Sequence, residues 1–170
     1  MIIPIWMGDW EHECCSPEVK VGDSIEWMLY AYSDESPETT GEAPHVTNIS
    51  DREVEIVGTR VPETPHTSEA YVQLSHNPLH VGVTIRKGPH PTGSLIRYCG
   101  KVWRELHTAE SPTPIVGVVR EIYYHAAQLE QISERGWKVT GYAGGRPIES
   151  TMEIGIGGSW AFRFLVEVGE

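Results

Sequence analysis

The feature that most constrains this chain is an apolar alternation with a period of two. Near the C-terminus Trp160, Phe162, Phe164, Val166 and Val168 fall on one side, with Arg163 and Glu167 on the other, the pattern of a strand with one buried face. The same period runs through Val21, Ile25, Trp27 and Leu29, and through Ile96, Tyr98, Val102 and Leu106 against Arg97, Lys101 and Glu105. Further strands are expected over 53–61, 70–74, 80–87, 115–124, where Val116, Val118 and Ile122 share a face, 137–142 and 151–156. They are divided by turns such as Asn77-Pro78 and Ser111-Pro112-Thr113-Pro114. Beside Gly58 the apolar phase slips from Val54 and Ile56 to Val57, Thr59 and Val61, which predicts a β-bulge or a barrel corner. Residues 34–50, rich in Ser, Pro, Glu, Thr and Gly, read as a mobile surface loop. One helix is expected over 125–135, where Ala126, Leu129 and Ile132 form a stripe and Gly136 stands at the C′ position. Many short strands with one short helix predict an all-β, mainly antiparallel small barrel or sandwich. It would be a single domain over residues 1–170, built as one unit or as two fused small barrels. A parallel α/β fold is excluded, because the crossover helices it needs are missing.

A chain of 170 residues is long enough to bury about 70% of its unfolded surface, so its core needs no staples. Its 13 basic and 24 acidic residues give a formal charge of -11, which argues against nucleic acid or an anionic membrane as partner. The N-terminus has no basic n-region before its short apolar run, so no secretory signal is expected, and no stretch approaches a membrane span. Cys14 and Cys15 are neighbours in a set of three cysteines, and adjacent cysteines close a disulfide only with strain. Reduced thiols and a cytoplasmic location are the expectation, under which the glycosylation pattern at Asn48-Ile49-Ser50 carries no meaning.

Catalytic motifs are mostly excluded. The GIGG run at 155–158 resembles a dinucleotide loop, but the third glycine would fall on Trp160 and no helix follows, so it reads as a hairpin turn. Gly157-Gly158-Ser159-Trp160-Ala161 lacks the helix and the downstream histidine of a nucleophile elbow. His76 and His80, about 13 Å apart along an extended strand, are too distant to share one ion. His12 and Cys14 are the metal candidates: two positions apart, they would share the face of a strand at about 6.6 Å. Cys15 would then point away. The acids Asp9, Glu11, Glu13 and Glu18 would raise the pKa of either thiol, against nucleophilic catalysis.

The richest stretch is 6–29, which holds Trp6, Trp10 and Trp27, the cysteine pair and a dense run of carboxylates. Three tryptophans so close read first as a plug sealing one end of a barrel, and second as an aromatic pocket or peptide groove rimmed by Asp9 and Glu11. Here Trp6, Asp9 and Trp10, then Cys14 and Cys15, then Val21, Gly22, Asp23 and Trp27 resemble the N-terminal pattern of a family of small bacterial proteins of unknown function. A glycine expected after the cysteine pair is Ser16 in this chain. The resemblance implies no activity, cofactor or partner. The reading is therefore a non-catalytic binding or regulatory module without a cofactor, meeting a protein or small-molecule ligand through Asp9, Trp10, Cys14, Cys15 and Trp27. The alternative is a metal- or thiol-dependent enzyme using His12, Cys14 and Cys15 with a histidine such as His80, His90 or His107.

Overall fold

The computed structural model describes residues 1–32, 38–60, 71–76, 79–84, 91–105, 114–154 and 159–169. The chain is mostly strand. In order it forms β1 (Ile2–Gly8), α1 (Asp9–Cys15), β2 (Ser24–Tyr32), β3 (Glu38–Thr39), β4 (His45–Asn48), β5 (Val54–Arg60), β6 (Tyr71–His76) and β7 (Leu79–Thr84). After these come β8 (Leu95–Gly100), β9 (Val102–Glu105), β10 (Ile115–Gln131), β11 (Trp137–Ile148) and β12 (Trp160–Val168).

Two rings of pairing organise these strands. In the first, β12 runs antiparallel to β1 from Ile2↔Glu167 to Gly8↔Ala161, and β1 pairs in parallel with β9 at Ile5 and Trp6. β9 is antiparallel to β2, β2 to β10, and β10 back to β12. In the second, the end of β2 pairs in parallel with β7, which leads through β6 and β5 to β8. Only Lys101 separates β8 from β9, so the second ring closes on the first through a shared strand. Ile3, Ile5 and Met7, the even positions of β12, and Ile25, Trp27 and Leu29 fill the first ring, while Val54, Ile56, Leu74, Leu79 and Ile96 come from the second. All belong to one buried apolar cluster. The Val21-Gly22-Asp23 turn into β2 forms as expected, with Gly22 at φ 95 and the Asp23 carboxylate accepting from the Lys20 amide at 2.8 Å.

Several sequence expectations are corrected. The helix over 125–135 is the outer half of β10, paired with β11 at Leu129↔Val139 and Gln131↔Trp137. Its alanines, glutamines and leucine are good helix formers, but propensity is worth under about 1 kcal/mol per residue, and the ladder and packing of a partner strand override it. Among the described residues the one α-helix lies instead at Asp9–Cys15, with Asp9 and Glu11 in its first turn, where the helix dipole favours carboxylates. Residues 151–153 form a 3₁₀ turn rather than a strand, started by a Ser150/Glu153 capping box. The 34–50 region contains β3 and β4. β5 keeps an unbroken register with β8 from Val54 to Thr59, so no bulge lies at Gly58; Ile56 and Val57 are both buried because both faces of this strand are covered. The bulge is instead in β10, between Val119 and Glu121. It shifts the phase so that Val119 and Ile122 are buried while Val116 is exposed. The GIGG run, His90 and His107 lie outside the described residues, as does the side chain of His80.

Candidate functional site

α1 covers one end of the first ring. Glu11 is buried and so is Arg104, whose guanidinium lies 4.6 Å over the Trp27 ring and donates to Ser16 Oγ at 2.9 Å. Desolvation lowers the Arg104 pKa, and the Glu11 charge opposes that shift. Trp27 stands edge-on to Phe164 at 5.0 Å, inside the core. His12 meets Trp160 and Phe162 edge-on at 5.6 and 5.2 Å, and burial holds its pKa below the ordinary imidazole value. Trp10 points outward, 60% exposed, and Asp9 Oδ1 accepts from its backbone N–H at 2.7 Å. The structure therefore separates the residues singled out from the sequence: Trp27 is core and Trp10 is surface. His12 and Cys14, two apart on a helix rather than a strand, lie about 200° apart around its axis. Cys14 is disulfide-bonded, against the expectation of reduced thiols. The Cys15 side chain lies outside the described residues.

The outer face of the same sheet carries a second constellation, which the sequence reading missed. Trp6 is fully buried there, with Trp103, His125 and Tyr142 at ring distances of 5.9, 4.9 and 5.4 Å. Arg163 donates from Nε to His125 Nε2 at 3.0 Å and pairs with the Asp51 carboxylate at 3.0 Å. The β4–β5 turn closes over this face. Trp6 Nε1 donates to the Arg52 carbonyl at 2.9 Å, and the Arg52 guanidinium donates to the carbonyls of Tyr142 at 2.9 Å and Gly144 at 2.6 Å. His125 is kept neutral: burial, then the Arg163 and Arg52 charges, push its pKa down to about 4. β11 bulges past it at Gly144, φ 66, and a Cβ on Gly145 would stand 2.9 Å from the imidazole Cε1, so glycine is required at 145 for the strand to pass so close.

Beyond this cover the same face continues onto an arm. β12 ends at Trp160↔Ala126 and β1 at Gly8↔Ala161, while β10 and β11 run on as a two-stranded ribbon. His125, Ala127, Leu129 and Gln131 share one side of β10, and Tyr142, Val139 and Trp137 lie opposite them across the ribbon's bulges. Tyr142 is half-buried. Leu129 and Val139 are 45% and 42% exposed, Trp137 is 60% exposed, and Ile132 at the turn is 65% exposed. α1 begins at the base of this arm, close enough for the Asp9 charge to add to the burial that raises the Tyr142 pKa.

Glu42, His45 and Glu55 also bring ligand-type atoms within 4.8 Å of one another. Arg97 pairs with both carboxylates, and His45 Nε2 lies 2.7 Å from Glu55 Oε1, so cations of the chain itself already neutralise the cluster. The hydrogen bond that His45 donates to the Glu55 carboxylate raises the His45 pKa and lowers the Glu55 pKa. The first contribution is lost as pH rises through the raised imidazole value and the second as pH falls through the lowered carboxylate value. With the intrinsic pH dependence of amide exchange divided out, protection of the β4–β5 ladder amides is accordingly expected to be largest between the unperturbed values of 4.5 and 6.5. In His45→Gln this pH dependence should flatten.

Among the described residues no helix is long and apolar enough to cross a membrane. Neither a search of curated proteins nor a search of solved structures returns a match. The model of one protein family, described as a family of unknown function, DUF6578, does match, over residues 1–154. With nearly the whole chain covered, including β1, α1 and most of the arm-bearing sheet, the protein belongs to that family of unknown function.

Proposed function

We propose that the protein is a binding module that docks another protein through the β10–β11 arm. The observation that carries this reading is the arm's continuous aromatic and aliphatic face, covered at its base by the β4–β5 turn and bare from Leu129 to Val139. Exposed apolar side chains on a ribbon two strands thick add little to folding, whereas a contiguous patch of this kind is typical of an interaction surface. Trp10 stands at the same end of the sheet, where α1 begins, whereas Trp27, opposite Ile115 at the other end of β10, is no part of this surface. The test is photo-crosslinking from a benzoylphenylalanine placed at position 137, in extract of the cells that make the protein. One discrete protein adduct is expected, lost in Leu129→Asp and not formed when the crosslinker replaces the exposed Met152. The substitutions sit on the surface, so stability should change by no more than about 0.5 kcal/mol. Failure to form an adduct above the Met152 control would contradict the reading.

A further inference from the structure

The arm's edge narrows the class of partner, on the assumption that the docking reading above holds. β11 is the last strand of its sheet, and among the described residues its ladder partner is β10 alone. One backbone edge therefore faces away from the sheet. Arg52 occupies that edge at Tyr142 and Gly144. Between Trp137 and Gly141 no hydrogen bond among the described residues reaches it, and such an edge is a template for another strand.

The two faces of the edge differ. On one, Trp137 and Val139 are apolar and exposed. On the other are Lys138, opposite Glu130, and Arg146, whose guanidinium lies 5.6 Å over the Tyr124 ring. β11 contains no Asp or Glu, in a chain whose formal charge is -11. A strand that complements such an edge alternates apolar side chains on one face with carboxylates on the other.

A second copy of the chain fits less well. Two β11 strands laid antiparallel would set no carboxylate opposite Lys138 in either strand. An apolar patch on the order of a few hundred Å² also falls short of the ~800 Å² per partner buried in a stable interface. An extended segment gains main-chain hydrogen bonds in addition to that patch.

We infer that the free edge of β11 from Trp137 to Gly141 receives an extended segment of a partner protein in which apolar and acidic residues alternate. Three fluorescent synthetic peptides test this by anisotropy: alternating valine and glutamate, alternating valine and lysine, and the glutamate peptide N-methylated at every second amide. The glutamate peptide should bind at least about tenfold more tightly than the lysine peptide. N-methylation should abolish its binding, since it removes the donors of the new ladder. The double variant Lys138→Glu/Arg146→Glu should reverse the charge preference. Equal binding of the two charged peptides, no binding of either, or binding that survives N-methylation would overturn the inference. None of these outcomes touches the docking reading, whose own readout is the position-137 adduct. Sedimentation showing a dimer that Lys138→Glu disperses would overturn it as well, by making the occupant a second copy.

Discussion

Trp6→Ala is expected to destabilise the protein by about 3–5 kcal/mol, the cost of truncating a large buried aromatic side chain. Trp6 is fully buried between Trp103, His125 and Tyr142, and its indole N–H holds the Arg52 carbonyl of the turn that closes the outer face. Truncation opens a cavity at this junction and leaves that carbonyl without its donor, and the two losses add. In urea titrations the midpoint should fall with the slope unchanged, the sign of lost stability rather than an altered unfolded state. Trp10→Ala is the control. Its side chain is 60% exposed, so a change within about 0.5 kcal/mol is expected. Equal effects of the two substitutions would contradict the assignment of Trp6 to the interior and Trp10 to the surface.

Acid should weaken the fold through His125. Its pKa is pushed down to about 4 from the ordinary 6.5, so the native state resists a proton that the unfolded chain accepts. Above pH 6.5 both states are neutral at this site and nothing is lost. As pH falls from 6.5 towards 4 the unfolded state gains a proton alone, and stability declines by roughly 3 kcal/mol over that window. His125→Gln removes the titration while keeping an acceptor for the Arg163 guanidinium, so its stability should be nearly level over the same window. The His45–Glu55 pair is level between 4.5 and 6.5, where both of its contributions are present, and His45→Gln removes it at the edges of that window. A wild-type curve as flat as that of His125→Gln would contradict the buried, neutral imidazole.

The legibility of the sequence followed local covering. β12 was readable because one face packs inward, so Trp160, Phe162 and Phe164 alternate cleanly with their neighbours. β1 was not singled out as a strand, since residues 3–7 are all buried and a strand covered on both faces shows no alternation. The outer half of β10 reads as a helix because it is exposed on both faces, so Ala126, Gln128 and Glu130 on one side and Ala127, Leu129 and Gln131 on the other show no apolar period of two. A stripe of helix formers remained, and the partner strand that decides the matter follows only after the turn. The expected plug of three tryptophans does not form: Trp6 packs on the outer face with Trp103, His125 and Tyr142, Trp10 is exposed, and only Trp27 lies in the core, because neighbours in sequence are divided between the two sides of the sheet. His125, Arg163 and Asp51 are far apart in sequence, and no spacing announces that they meet. The bare face of the arm was hidden by the same misreading, because Leu129 and Ile132 were assigned to a helix stripe and Trp137 to a separate strand.

The docking surface exists only if the arm is a two-stranded ribbon whose apolar face continues from the Trp6 cluster into solvent. The direct measurement is the pattern of nuclear Overhauser effects across residues 125–139. Cross-strand contacts between the α-protons of Leu129 and Val139, with Gln131 near Trp137, are the result this account predicts. Contacts between residues three apart from His125 to Arg135, as a helix would give, would contradict it.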